Sequence, residues 1–254
     1  MSLNRWHRRR EFVPMLCRLH PGAAKDERSR QVPLMEALAR IQDGFSPNYG
    51  GNRSIPANRS ADIPPEQNCS LFIVNLPPNI TTREVLQAIR GCGRIFTTHL
   101  MTPEPEKGNK NPAIKITFFE REPASLFYNK CRHNGGFLVP GHPERGHVMW
   151  NRVLCAPRRT TVPPHLYNPD ESRVVGITGP PGIVNEDTLR VFLDHFMEYE
   201  LLEVRDISTS AMPTLEYHFG SFRSQAEVFY MAARHHLARF GARAWYRPDP
   251  CACP

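Results

Sequence analysis

The chain runs twice through one order of elements: strand, helix, strand, strand, helix, strand. Two stretches of about 85 residues carry it, and their sequences differ, so these are tandem modules rather than a solenoid. Each pass can build an antiparallel sheet backed by two helices. The first pass opens on Leu71-Phe72-Ile73-Val74-Asn75-Leu76. A period of two sends Leu71 and Ile73 to one face and Phe72 and Val74 to the other. A phenylalanine turned away from the core leaves apolar area in water, so a covering group is expected.

The first pass reads clearly. Thr81 and Glu84 form a capping box, and Val85, Leu86 and Ile89 give the helix behind it an apolar stripe. Gly91 and Gly93 end that helix. Arg94–Met101 is predicted as a strand, Thr102–Pro112 as a polar loop and Ala113–Phe119 as a third strand. Pro123–His133 is the second helix, and the fourth strand falls within His147–Cys155. After a linker the order returns. Strands are predicted at Val174–Thr178, Leu201–Ile207, Thr214–Phe219 and Ala242–Arg247, and helices from Asn185 through Phe196 and over Gln225–Leu237. This order is the split βαβ, ferredoxin-like arrangement. The fold class is therefore α+β, with two βαββαβ domains at 69–156 and 173–250. Around them lie a basic, disordered N-terminal region at 1–68, a Pro-rich linker at 157–172 and a tail at 251–254.

The first unit resembles the RNA recognition motif (RRM) family, through its first-strand run Leu71 to Leu76. The resemblance implies a sheet that stacks bases of single-stranded RNA on exposed aromatic side chains. The third strand departs from the family pattern. With Ile114, Ile116 and Phe118 inward, Ala113 and Lys115 take the exposed positions where aromatics are usual. One stacking residue, Phe72, and one cation, Lys115, remain. Stacking is worth about 1–3 kcal/mol per base, so phosphate contacts are needed as well. The candidates are Lys107 and Lys110 in the loop, and Arg152, Arg158 and Arg159 beyond the fourth strand. His99 is expected on the same face, and Asn75 combines a turn role with a possible base contact. The alternative for Phe72 is that the linker or the second unit covers it.

The second unit resembles a degenerate RRM. Val175-Gly176-Ile177 places Gly176 where Phe72 stands in the first. Leu215, Tyr217 and Phe219 point inward, leaving Thr214 and Glu216 exposed. A face with no aromatic and one carboxylate repels phosphate. Protein contact or docking on the first unit is the expected role. Some RRM variants hold a peptide with an acidic helix and an Arg-x-aromatic turn. Glu186, Asp187 and Asp194 with Arg243-Ala244-Trp245 resemble them loosely, against an ordinary core role for Trp245.

Charge locates the expected footprint. Residues 1–68 hold 11 basic and 7 acidic residues, 69–156 hold 11 and 6, and 173–254 hold 8 and 10. Positive charge thus sits in the first half, where a nucleic-acid contact belongs. Pro33–Ile41 has helical spacing through Leu34, Ala37, Leu38 and Ile41 and reads as a transient helix. Cys131, His133, His142 and His147 lie close in sequence but lack a C-x-x-C pair, so no metal is expected. Cys17 with His20 and Cys251 with Cys253 are weaker still, and the latter read as a frayed C-terminus. No catalytic arrangement, phosphate-binding Gly loop or cofactor site is legible, so no enzyme and no small-molecule substrate are expected. No run approaches the ~18 apolar residues of a membrane span. The process expected is RNA processing or regulation in the nucleus, with the cytoplasm as alternative. Arg8-Arg9-Arg10 suits an RNA-binding tail or an import patch, and Pro14 weakens the likeness to a mitochondrial presequence. The rival class is a protein-interaction scaffold.

Overall fold

The structure is a computed structural model that describes residues 33–43, 45, 53–54, 59–103, 110–209 and 212–254. Arg8 to Arg10, Cys17, His20 and Lys107 lie outside the described residues. Helix α1 spans Leu34–Gln42 and buries none of its residues, with Leu34 and Met35 turned to solvent.

In the first unit β1 (Ser70–Val74) leads to α2 (Thr82–Ala88), β2 (Ile95–Met101), β3 (Ala113–Phe118) and α3 (Arg121–His133). A two-residue strand β4 (Phe137–Leu138) then pairs with β5 (Arg145–Trp150), giving the order β2-β3-β1-β5-β4. The local chemistry explains the boundaries. Thr81 Oγ1 accepts from Glu84 N at 3.2 Å while the Thr81 amide donates to the Glu84 carboxylate at 2.8 Å, so both halves of the capping box form. Leu71, Ile73, Ile114, Ile116 and Phe118 alternate into the core against Val85, Leu86 and Phe127, all essentially inaccessible to water.

The second unit repeats the plan with β6 (Val174–Thr178), α5 (Glu186–Phe196), β7 (Leu201–Asp206), β8 (Thr214–Phe219), a helix and β9 (Arg243–Tyr246), ordered β7-β8-β6-β9. A short α4 (Arg158–Thr161) lies between the units, and the second unit's last helix, α6 (Glu227–Ala232), continues in a wider turn over Ala233–Leu237. Asn185 caps α5 by accepting from Thr188 N at 2.8 Å.

The two units share a packed seam. Phe119 of the first unit belongs to the second hydrophobic core and touches Phe96 and Phe222 at ring separations of 5.3 and 5.0 Å. Thr98 on the β2 edge bonds across to the second unit: its amide donates to Ser221 Oγ at 2.8 Å and its hydroxyl to the Gly220 carbonyl at 2.9 Å. The linker is bound into this seam. Arg158 meets Glu171 through two bonds of 3.0 and 3.1 Å and Glu227 through one of 2.9 Å. Arg94 donates to the Pro169 and Glu171 carbonyls.

The C-terminus corrects the reading of a frayed tail. Cys251 is fully buried within the first unit's core, where its thiol donates to the Leu86 carbonyl at 3.3 Å. Its carbonyl accepts from Cys92 and Gly93, and the Cys253 carbonyl from Gly91. Gly91 has φ of +61°, and a Cβ on Gly93 would lie 2.4 Å from Pro123 Cβ, so the turn that receives the tail requires both glycines. Burial pushes the Cys251 thiol up to about 12, with the Asp249 charge adding to it.

Candidate nucleic-acid interface

Strand register sets four side chains in one line across the outer face of the first sheet. Phe72 stands opposite Lys115 on β3 and Met149 on β5, and Lys115 stands opposite His99 on β2. Directly paired residues share a face, so the line runs His99, Lys115, Phe72, Met149. Phe72 and Lys115 are half-buried, while His99 and Met149 are exposed. Although the residue keeps an exposed edge, desolvation by the groups packed around it first and the Lys115 ammonium second lower the His99 pKa, which favours the neutral imidazole. A neutral ring offers stacking and hydrogen bonding rather than charge. Val74 and His147 form a second pair on this face.

One end of the face is closed. Ser70 and Thr117 point outward by alternation yet are buried, with Thr117 Oγ1 donating to Ser70 Oγ at 3.3 Å and Asn151 Nδ2 donating to it at 3.1 Å. The segment before β1 pairs there with the segment after β5, through Ala61 to Leu154 and Cys69 to Cys155. The face therefore opens from Phe72 toward Asn75. Asn75 is exposed and holds φ of +58°, a conformation its short side chain tolerates better than most, so it ends the strand.

The other expected residues divide. Lys110 and Arg152 are exposed. Arg159 lies 3.3 Å from the Glu120 carboxylate with much of its side chain in solvent. Arg158 stands away from the sheet line, held between Glu171 and Glu227 in the seam. The structure adds Met149 and His147, which sequence reading missed. The sequence bounds β5 only within His147–Cys155, and its register alone shows which of its residues stand beside Phe72.

The second sheet differs from its reading at two positions. Its corresponding line is Arg205, Glu216, Gly176 and Trp245. Trp245 lies on this face over Gly176, where an added Cβ would meet the indole Cε2 at 2.8 Å. The face thus carries an aromatic, supplied by β9. Arg243 to Tyr246 is itself a strand, so the Arg-x-aromatic turn of peptide-holding variants is absent. Glu216 is not exposed but buried, bonded to Arg247 at 2.9 Å and to His218 at 2.6 Å. Burial raises its pKa, and these two partners more than offset that, leaving it lowered. The carboxylate is therefore charged and locally matched. Part of this sheet meets the first unit: Glu203 lies 3.8 Å from Arg83, and Leu202 packs on the first core.

Among the described residues no group of three or more His, Cys, Asp or Glu side chains is placed to hold a metal, and no helix is long and apolar enough to cross a membrane. The Cys131, His133, His142 and His147 group does not converge.

No protein-family model matches the chain, and no curated protein matches it in sequence. Solved structures do. The RNA recognition domains 1 and 2 of Sex-lethal from Drosophila melanogaster align at 14% identity over 71% of this chain and 100% of that one, with a TM-score of 0.26. The first two RRM domains of the yeast poly(U)-binding protein Pub1 align at 14% identity over 70% and 99%, with a TM-score of 0.25. The RNA-binding domain of Hrp1, solved in complex with RNA, aligns at 12% identity over 72% and 98%, with a TM-score of 0.25. The strand order of the two sheets, rather than these scores, defines the class: two α+β units of the ferredoxin-like arrangement in one chain.

Proposed function

We propose that the first unit binds single-stranded RNA on the open face of its sheet. The observation that supports this is the line of His99, Lys115, Phe72 and Met149. Phe72 would take a base in stacking, Met149 would extend the apolar contact, and Lys115 would meet the adjoining phosphate. Lys107, Lys110, Arg152 and Arg159 would add phosphate contacts, and Asn75 would stand at the open end of the path. Arg158 is left out, because its guanidinium already faces two carboxylates. With one aromatic on the line, sequence discrimination would be slight. RNA processing or regulation in the nucleus is the process this reading favours, and the reading includes no catalytic step.

The test uses the whole chain, since the first core is completed by Cys251. Fluorescence anisotropy is measured against a labelled single-stranded RNA pool at two salt concentrations. Phe72→Ala is expected to weaken binding by about 1–3 kcal/mol. Lys115→Ala is expected to weaken it and to reduce the salt slope by about 1. Flat titrations with a folded chain would sink the proposal. A second role is favoured for the second unit by the contacts of Leu202 and Glu203 with the first. It would act as a polypeptide-docking scaffold, its first partner being the neighbouring unit.

A further inference from the structure

We propose that a crevice at the far end of the first unit's two helices docks an acidic peptide segment carrying apolar anchors. This site is separate from the RNA face and does not depend on it. The crevice encloses about 290 Å³ between the end of α2, the end of α3 and the β4–β5 hairpin. Its floor is apolar, formed by Ile89, Phe127 and Phe137. Its rim carries Arg90, Lys130 and Arg145 and no carboxylate.

The cations are not explained by helix ends alone. Arg90 donates to the Leu86 and Ile89 carbonyls, and Lys130 to the Arg90 carbonyl, as suits the negative ends of α2 and α3. Arg145 comes from a strand, and among the described residues it has no ion-pair partner. Three positive charges of separate origin therefore surround one apolar floor. Leu126, on the helical face of Lys130, and Leu138, paired with Arg145, are exposed beside them at 51% and 42%. Carboxylates would meet the rim, and aliphatic side chains would meet these two leucines.

A nucleic acid fits less well. Phe127 and Phe137 meet edge to face at 5.5 Å, and both are buried, so no ring face is offered to a base. The charge pattern and the apolar floor together favour polypeptide.

The test is anisotropy of the full chain with a fluorescein-labelled peptide of Glu-Glu-Leu repeats. A second peptide carries Lys in place of every Glu. The acidic peptide is expected to bind about tenfold tighter than the basic one, and Arg145→Glu to remove that preference. Leu138→Ser is expected to weaken the acidic peptide, and Phe72→Ala to leave it unchanged. Neither the Arg145 nor the Leu138 side chain makes a hydrogen bond among the described residues, so these variants keep the fold in place where Lys130→Glu would remove a cap. Equal affinity for both peptides, or indifference to Arg145→Glu, would overturn the proposal. Loss of oligouridylate binding in Arg145→Glu, with the acidic peptide unaffected, would make the crevice a phosphate site and overturn it equally.

Discussion

A lone phenylalanine on a sheet is a modest platform, and its neighbours decide its use. Phe72 has an ammonium on one side and a thioether on the other. The second sheet shows how differently the same position can be filled, since Gly176 there only makes room for Trp245. Single residues also set local stability. Glu84 is held below the usual carboxylate range first by the Thr81 hydroxyl, which donates to it at 2.6 Å. A carboxylate with a lowered folded pKa adds stability above its unfolded value of about 4.3, and loses it as pH falls through the folded one. Glu84→Gln is therefore expected to destabilise the chain near pH 7, and the difference from the parent should narrow as pH falls below that value. Urea midpoints measured across pH check it. A constant difference would place the cost in packing rather than in the charge.

At the scale of elements, sequence pattern fixed much and register little. The alternation at Leu71–Val74 and Thr214–Phe219, and the Thr81 capping box, were readable because each depends on neighbours in sequence. The one-residue slips near Phe96 and Leu202 were not, because a bulge shows only when two strands are paired. One such slip occurs at Leu202, which packs on the first unit. The position of Trp245 is hidden for the same reason: its place over Gly176 is a relation between β9 and β6, which lie far apart in sequence. That relation is testable. Gly176→Val should press on the indole and cost about 1–3 kcal/mol. In a Trp245→Ala background the same change should cost much less, as coupled residues require. Equal costs in both backgrounds would mean that the indole yields freely and that the fit is incidental.

At the scale of the whole molecule the two units are joined by more than a linker. Asp249, near the C-terminus, accepts from the Ile95 amide of the first unit at 2.9 Å and pairs with buried Arg173 of the second at 3.0 Å. Arg173 donates also to the Phe219 carbonyl at 3.0 Å. Burial disfavours the guanidinium charge, and Asp249 restores it, so the net shift is upward. Breaking a buried pair from one side leaves an uncompensated charge and costs about 3–5 kcal/mol. Asp249→Ala should therefore destabilise both units, although the residue follows the last strand of the second. Cys251 extends the same dependence, because the first core is incomplete without it. The chain should then unfold in one step. Trp150 reports on the first unit and Trp245 on the second, so urea unfolding is followed in two variants of a Trp6→Phe chain, one with Trp150→Phe and one with Trp245→Phe. Coincident transitions are expected from the two variants, and both should move together when Asp249→Ala is added. Separate transitions, or a shift confined to Trp245, would show that the seam does not couple the units and that the first sheet stands without its C-terminal partner.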